Sequence, residues 1–145
     1  MADSATTAKY AKPLPQSDPV TAPFWESLKA HAMQVQRCND TGKFFFYPRG
    51  LSPFTLSNNI SWEPVSGRGV LHAFTIVYLN RAPGFADELP YVVALIELDE
   101  GVRLMSNLIG VTPDPEHVKI GMPVEIVYDD VTPEVTLPKF RPMEA

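Results

Sequence analysis

A chain of 145 residues with 45% hydrophobic and 20% charged residues is long enough to bury a real core and lies outside the disordered range, as one ordinary domain or a compact domain with a small appendage. Its formal charge of −5 argues against nucleic acid as a partner, because phosphate binding rests on clustered Lys and Arg and here the basic residues are scattered. The longest apolar run, Tyr91 to Ile96, is far short of the roughly 20 residues of a membrane span; the single cysteine excludes an internal disulfide framework, and without a charged and apolar leader the expected compartment is the cytoplasm.

Residues 1–17, with Lys12-Pro13-Leu14-Pro15 and little apolar periodicity, read as a flexible, extended arm. From Thr21, the residues Phe24, Trp25, Leu28 and Ala32 recur at helical spacing, which predicts an amphipathic helix over 22–34 with Thr21 as N-cap and Pro23 in the first turn. The segment 34–62 carries the run Phe44-Phe45-Phe46-Tyr47 between turn-rich stretches and predicts two or three short strands. Alternation sets Phe44 and Phe46 on one face and Phe45 and Tyr47 on the other; packing of Phe44, Phe46, Phe54, Leu56 and Trp62 is the expected source of stability here.

Ser66-Gly67-Arg68-Gly69 marks a boundary. Five β-like stretches follow, at 70–79, 91–98, 102–109, 124–131 and 135–140. Asp99-Glu100-Gly101 forms a hairpin loop with Gly101 placed for positive φ, and 114–118 forms one helical turn. On the first stretch, His72 shares a face with Val70, Phe74 and Ile76. Five strands with a helical element between the third and fourth predict a mainly β protein with an OB-fold barrel; a β-sandwich would more often show seven strands. The second stretch is apolar on both alternating faces, so its outer face needs a cover, either the N-terminal helix or a partner protein. The expected division is an arm at 1–17, helix and ribbon at 18–65, and barrel at 66–145.

Cys38 and Thr41, followed by Ser52 and Thr55, have the spacing of a zinc ribbon in which three of four ligands have become neutral hydroxyls. The expectation is a degenerate ribbon that binds no metal. The histidines His31, His72 and His117 lie far apart in sequence, and phosphate-binding and nucleophile-elbow motifs are missing. Cys38 as a nucleophile would need a base, and only Arg37 and Lys43 are near it in sequence. The acids Asp99, Glu100, Asp129 and Asp130 read as solvated hairpin tips. The aromatic run beside Lys43 and Arg49 suits core packing better than base stacking.

Beyond these readings, Phe24-Trp25-Glu26, Gln36-Arg37-Cys38, Tyr47-Pro48-Arg49 and the phrases at 62–69, 90–104 and 120–125 closely resemble the DUF35 family, over about 18–142. That family joins a rubredoxin-like zinc ribbon to an OB-fold. The resemblance implies a non-catalytic partner of thiolase-fold enzymes, whether thiolase, thiolase-like aldolase or acyltransferase, that stabilises the complex and helps shape its channel for CoA thioesters. The coenzyme A thioester would be a shared ligand, with no cofactor of the chain's own. Phe45, Tyr47, Arg49 and Tyr91 are the expected partner contacts. The alternative is a free-standing acyl-CoA-binding module that holds the nucleotide phosphates with Arg37, Lys43, Arg49 and Arg68.

Overall fold

The computed structural model describes residues 10–143, so most of the predicted arm lies outside the described residues. In its described part, which starts at Tyr10, Lys12 pairs with Glu88 and sits 5.2 Å from the centre of the Phe85 ring.

Helix α1 spans Ala22–Lys29 and ends before the predicted boundary. The reason is local. His31 takes a left-handed φ of 56°, which lets its N–H reach the Leu28 carbonyl at 2.9 Å and the Ala32 N–H reach the Ser27 carbonyl at 2.9 Å; this pair of bonds is the Schellman closure, here without the usual glycine. Thr21 does not cap the helix with its side chain. Asp18 closes the turn that leads into the helix, its carboxylate accepting the N–H groups of Val20 and Thr21 at 2.9 and 2.8 Å.

A small antiparallel sheet follows, ordered β2-β1-β3, from β1 (Gln34–Cys38), β2 (Phe44–Phe45) and β3 (Ile60–Pro64). Buried Gln36 pins the next segment by exchanging two hydrogen bonds, 2.6 and 2.7 Å, with the Arg49 backbone. Phe45 is buried, while Phe44, Phe46 and Trp62 pack against the main core. The expected ribbon core is corrected at two positions: Phe54 and Leu56 are exposed, because the turn that carries them directs its polar groups inward.

The second unit is a closed barrel of β4 (Arg68–Val77), β5 (Tyr91–Leu98), β6 (Arg103–Leu108), β7 (Pro123–Asp130) and β8 (Thr136–Pro142), in the order β4-β5-β6-β8-β7. This is the OB connectivity, with β5 burying Val92, Ala94, Ile96 and Leu98 inward. Gly101 sits at φ 97° in the β5–β6 hairpin. At 114–118 a single turn is closed by the Val118 N–H on the Asp114 carbonyl, 3.0 Å. One facing is corrected: a bulge at His72, between Leu71 opposite Ile96 and Ala73 opposite Leu95, flips the alternation. Val70 therefore pairs with outward Glu97, while Phe74 and Ile76 pair with inward Ala94 and Val92.

Helix α1 packs on β1, β7 and β8, which leaves it away from the outer face of β5. There Val93 and Leu95, with Ala73 and Met105, line a shallow open depression of about 190 Å³. Strands β6 and β8 meet at one residue pair, Leu108 with Phe140, and are bridged further along by the Ser106 hydroxyl donating to the Pro138 carbonyl at 2.8 Å.

Candidate functional site

The ribbon tip brings the four sequence-marked positions together round one sulfur. Cys38 is fully buried. Hydroxyls of Ser52 and Thr41 donate to its thiol and hold it at about 7, below its ordinary 9.0, and Thr55 Oγ1 lies 3.9 Å from Sγ. One thiol and three hydroxyls do not suit structural zinc, which takes four thiolate or imidazole ligands. Among the described residues no cluster of His, Cys, Asp or Glu could hold a metal. Beside the sulfur, the Asp40 carboxylate accepts hydrogen bonds from Thr55 (2.9 Å), Ser57 (2.5 Å) and Asn59 (3.0 Å), led by Ser57 in holding its pKa below the ordinary 3.8. The tip is thus stapled by hydrogen bonds.

Two of the three histidines are engaged elsewhere. His31 stacks on Tyr128 at 4.9 Å and bonds Asp130 at 2.9 Å, and His117 bonds Asp114 at 2.7 Å. None of these contacts touches Cys38, so no nucleophile and base pair is assembled among the described residues.

Two grooves flank the junction of ribbon and barrel. The first, about 390 Å³, lies where α1 and the ribbon aromatics face the β6–β8 seam, and is walled by Trp25, Phe46, Tyr47, Met105, Leu137 and Pro138. The second, about 440 Å³, lies between the ribbon and the β5–β6 hairpin, and is lined by Phe44, Phe45, Arg49, Phe54 and Arg103.

Comparison with known proteins decides the family. The "DUF35 domain-containing scaffold protein" of Methanothermobacter thermautotrophicus is 32% identical over 116 residues, which is 79% of this chain and 85% of that protein. The chain belongs to the DUF35 family. Residues 62–129 match the family described as ChsH2, C-terminal OB-fold domain. A chain of the solved Ltp2-ChsH2(DUF35) aldolase superposes on this DUF35 chain with a TM-score of 0.80 at 35% identity, covering 89% of this chain and 98% of that one. The "3-oxo-4,17-pregnadiene-20-carboxyl-CoA hydratase alpha subunit" of Mycobacterium tuberculosis is 38% identical over 130 residues, 90% of this chain and 40% of that protein. The chain spans about two fifths of the length of the hydratase alpha subunits it matches.

In this DUF35 chain the sequence-marked contact residues do not form one surface. Tyr47 walls the first groove and Arg49 the second. Phe45, 5% exposed, belongs to the interior and offers a partner almost nothing. Tyr91 is half-buried, accepting a hydrogen bond from Asn80 Nδ2 at 2.8 Å beside Phe85. Of the four phosphate candidates, Arg37, Lys43 and Arg49 lie on the ribbon, with Arg37 Nε donating to the Gly42 carbonyl at 3.3 Å. Arg68 opens β4 opposite Glu125 of β7. The residue that joins Arg49 in the second groove is Arg103, placed there by the β5–β6 hairpin; nothing in its local sequence marks it out.

Proposed function

We propose that this DUF35 chain is a non-catalytic accessory subunit of a thiolase-fold enzyme, whether thiolase, aldolase or acyltransferase, that acts on CoA thioesters. In that complex it stabilises the enzyme and contributes to the wall of the CoA-substrate channel. The observation that carries the reading is the 98% coverage of the DUF35 chain of an aldolase complex at 35% identity. Support also comes from the chemistry: a buried thiol with no base beside it among the described residues, two of the three histidines tied to carboxylates, and an apolar groove on the outside of the barrel.

The test is co-expression with thiolase-fold proteins encoded in the same genome, followed by size-exclusion chromatography and assays of the complex and of each chain. A stoichiometric complex that turns over acyl-CoA, with no turnover by this chain alone, is the expected result. Robust turnover by the isolated chain would overturn it. A second reading rests on the similarity to hydratase alpha subunits: the same accessory role beside a hydratase. Hydration of an enoyl-CoA by the complex, in place of thiolytic or aldol chemistry, would favour that reading. Tight CoA binding by the isolated chain, lost on Arg49→Ala, would instead favour the free-standing acyl-CoA module.

A further inference from the structure

The ribbon loop 48–57 turns its polar chemistry inward and its apolar side chains outward. Buried Ser52 accepts the N–H groups of Phe54 and Thr55 on its hydroxyl at 3.1 and 3.3 Å, and its backbone pairs with the Ser57 carbonyl and the Leu56 N–H. The loop is therefore satisfied by itself, yet it leaves Leu51 50%, Phe54 47% and Leu56 75% exposed. Three large apolar side chains held in water on one short loop mark an interaction site.

Backbone conformation supports this independently. Leu56 stands at φ 61°, where glycine or asparagine would serve the turn better. The other non-glycine residue in that region, His31, uses its position to stack on Tyr128 and bond Asp130. The Leu56 side chain is mostly exposed, and strain retained at an exposed residue points to a use outside the fold. Two cations flank the loop. Lys43 Nζ lies 5.5 Å over the Phe54 ring, Arg49 lines the adjoining groove, and neither has an ion-pair partner among the described residues. The one carboxylate bonded to the loop, Asp40, keeps its negative charge while accepting from Thr55, Ser57 and Asn59, so the two cations outnumber it.

We propose that this loop is a docking surface for a partner protein whose apolar pocket is rimmed by Asp or Glu. Resting on the accessory-subunit reading, the proposal names where the partner is held and by what chemistry. A net charge of −5 disfavours an anionic lipid surface, and a two-fold contact between copies would set Lys43 and Arg49 against themselves.

The experiment measures binding of the purified, co-expressed thiolase-fold subunit to immobilised full-length chain. Phe54→Ser and Leu56→Gly each weaken binding at least tenfold, and Lys43→Glu with Arg49→Glu weakens it and flattens its salt dependence. Tyr78→Ser and Leu79→Ser, at exposed apolar positions beyond the loop, bind as wild type. Leu56→Gly separates the two roles of the residue: glycine suits the left-handed backbone, so Tm is retained while binding falls, and a leucine that served the fold would show the reverse. Loop variants that bind as wild type overturn the proposal. So does loop-dependent flotation with phosphatidylglycerol vesicles, or a loop-dependent dimer in sedimentation. A photo-crosslinking benzophenone side chain at position 56, used in the native host, keeps the two readings apart. An adduct with a different, acidic protein that binds in purified form with the same variant dependence retains the surface and removes the thiolase-fold reading. No adduct at 56 overturns the surface itself.

Discussion

Cys38 combines full burial with a thiol held at about 7 by the hydroxyls of Ser52 and Thr41. Between about 7 and its ordinary 9.0, the folded chain has released a proton that the unfolded chain still holds, so stability rises with pH across that window and is lost as pH falls through about 7. Urea midpoints measured at pH 6, 7, 8 and 9 are expected to climb for wild type and stay level for Cys38→Ser. Burial also keeps alkylation of the native thiol slow until urea unfolds the chain. Asp40 titrates in the acid range by the same logic. Its carboxylate is held below the ordinary 3.8 by the hydrogen bonds of Ser57, Asn59 and Thr55, so its contribution is present above 3.8 and lost as pH falls through the lower folded value. Asp40→Ala is expected to lower Tm at pH 7, with the gap from wild type closing below 3.8; a gap unchanged at pH 3 would refute the assignment.

At the scale of elements, β4 and β5 approach so closely at Gly69 that a Cβ there would stand 2.1 Å from the Glu97 carbonyl oxygen. Gly69→Ala is expected to cost about 1–3 kcal/mol by urea denaturation, whereas Gly50→Ala, with nothing within 4 Å, stays within about 0.5 kcal/mol. How far such elements can be read from sequence depends on what sets them. The continuous apolar run that opens 91–98 marks a buried strand in the sequence, and β5 occupies Tyr91–Leu98. The bulge at His72 was illegible because Leu71-His72-Ala73 carries no glycine or proline to mark an extra residue. The helix end was illegible because His31 adopts a conformation that pattern reading reserves for glycine. At the candidate site, the convergence on Cys38 could be read from ligand spacing. The apposition of Arg49 with Arg103 and the bond of His31 to Asp130 could not, since only the closed barrel brings those distant segments together. Phe54 and Leu56 were misplaced for a related reason: hydrophobicity shows in a sequence, but the direction a turn faces does not.

Over the whole molecule, one core joins the two units. Phe24, Leu28, Met33 and Val35 from helix and ribbon lie in the same cluster as Ile96, Leu104, Val124 and Phe140 from the barrel. The chain's two tryptophans, Trp25 and Trp62, both precede the barrel, so fluorescence reports helix and ribbon while far-UV circular dichroism is dominated by the barrel strands. We expect the two signals to give coincident unfolding midpoints, both moved together by Leu28→Ala, which costs about 2–5 kcal/mol at this fully buried position. Separate midpoints would show units that fold independently. The same arrangement has a consequence for synthesis. Helix α1 rests on β7 and β8, which leave the ribosome about a hundred residues after it. Until they emerge, Phe24 and Leu28 have no barrel to lie against, and nascent chains spend that interval with a greasy helix face open to chaperones and to one another.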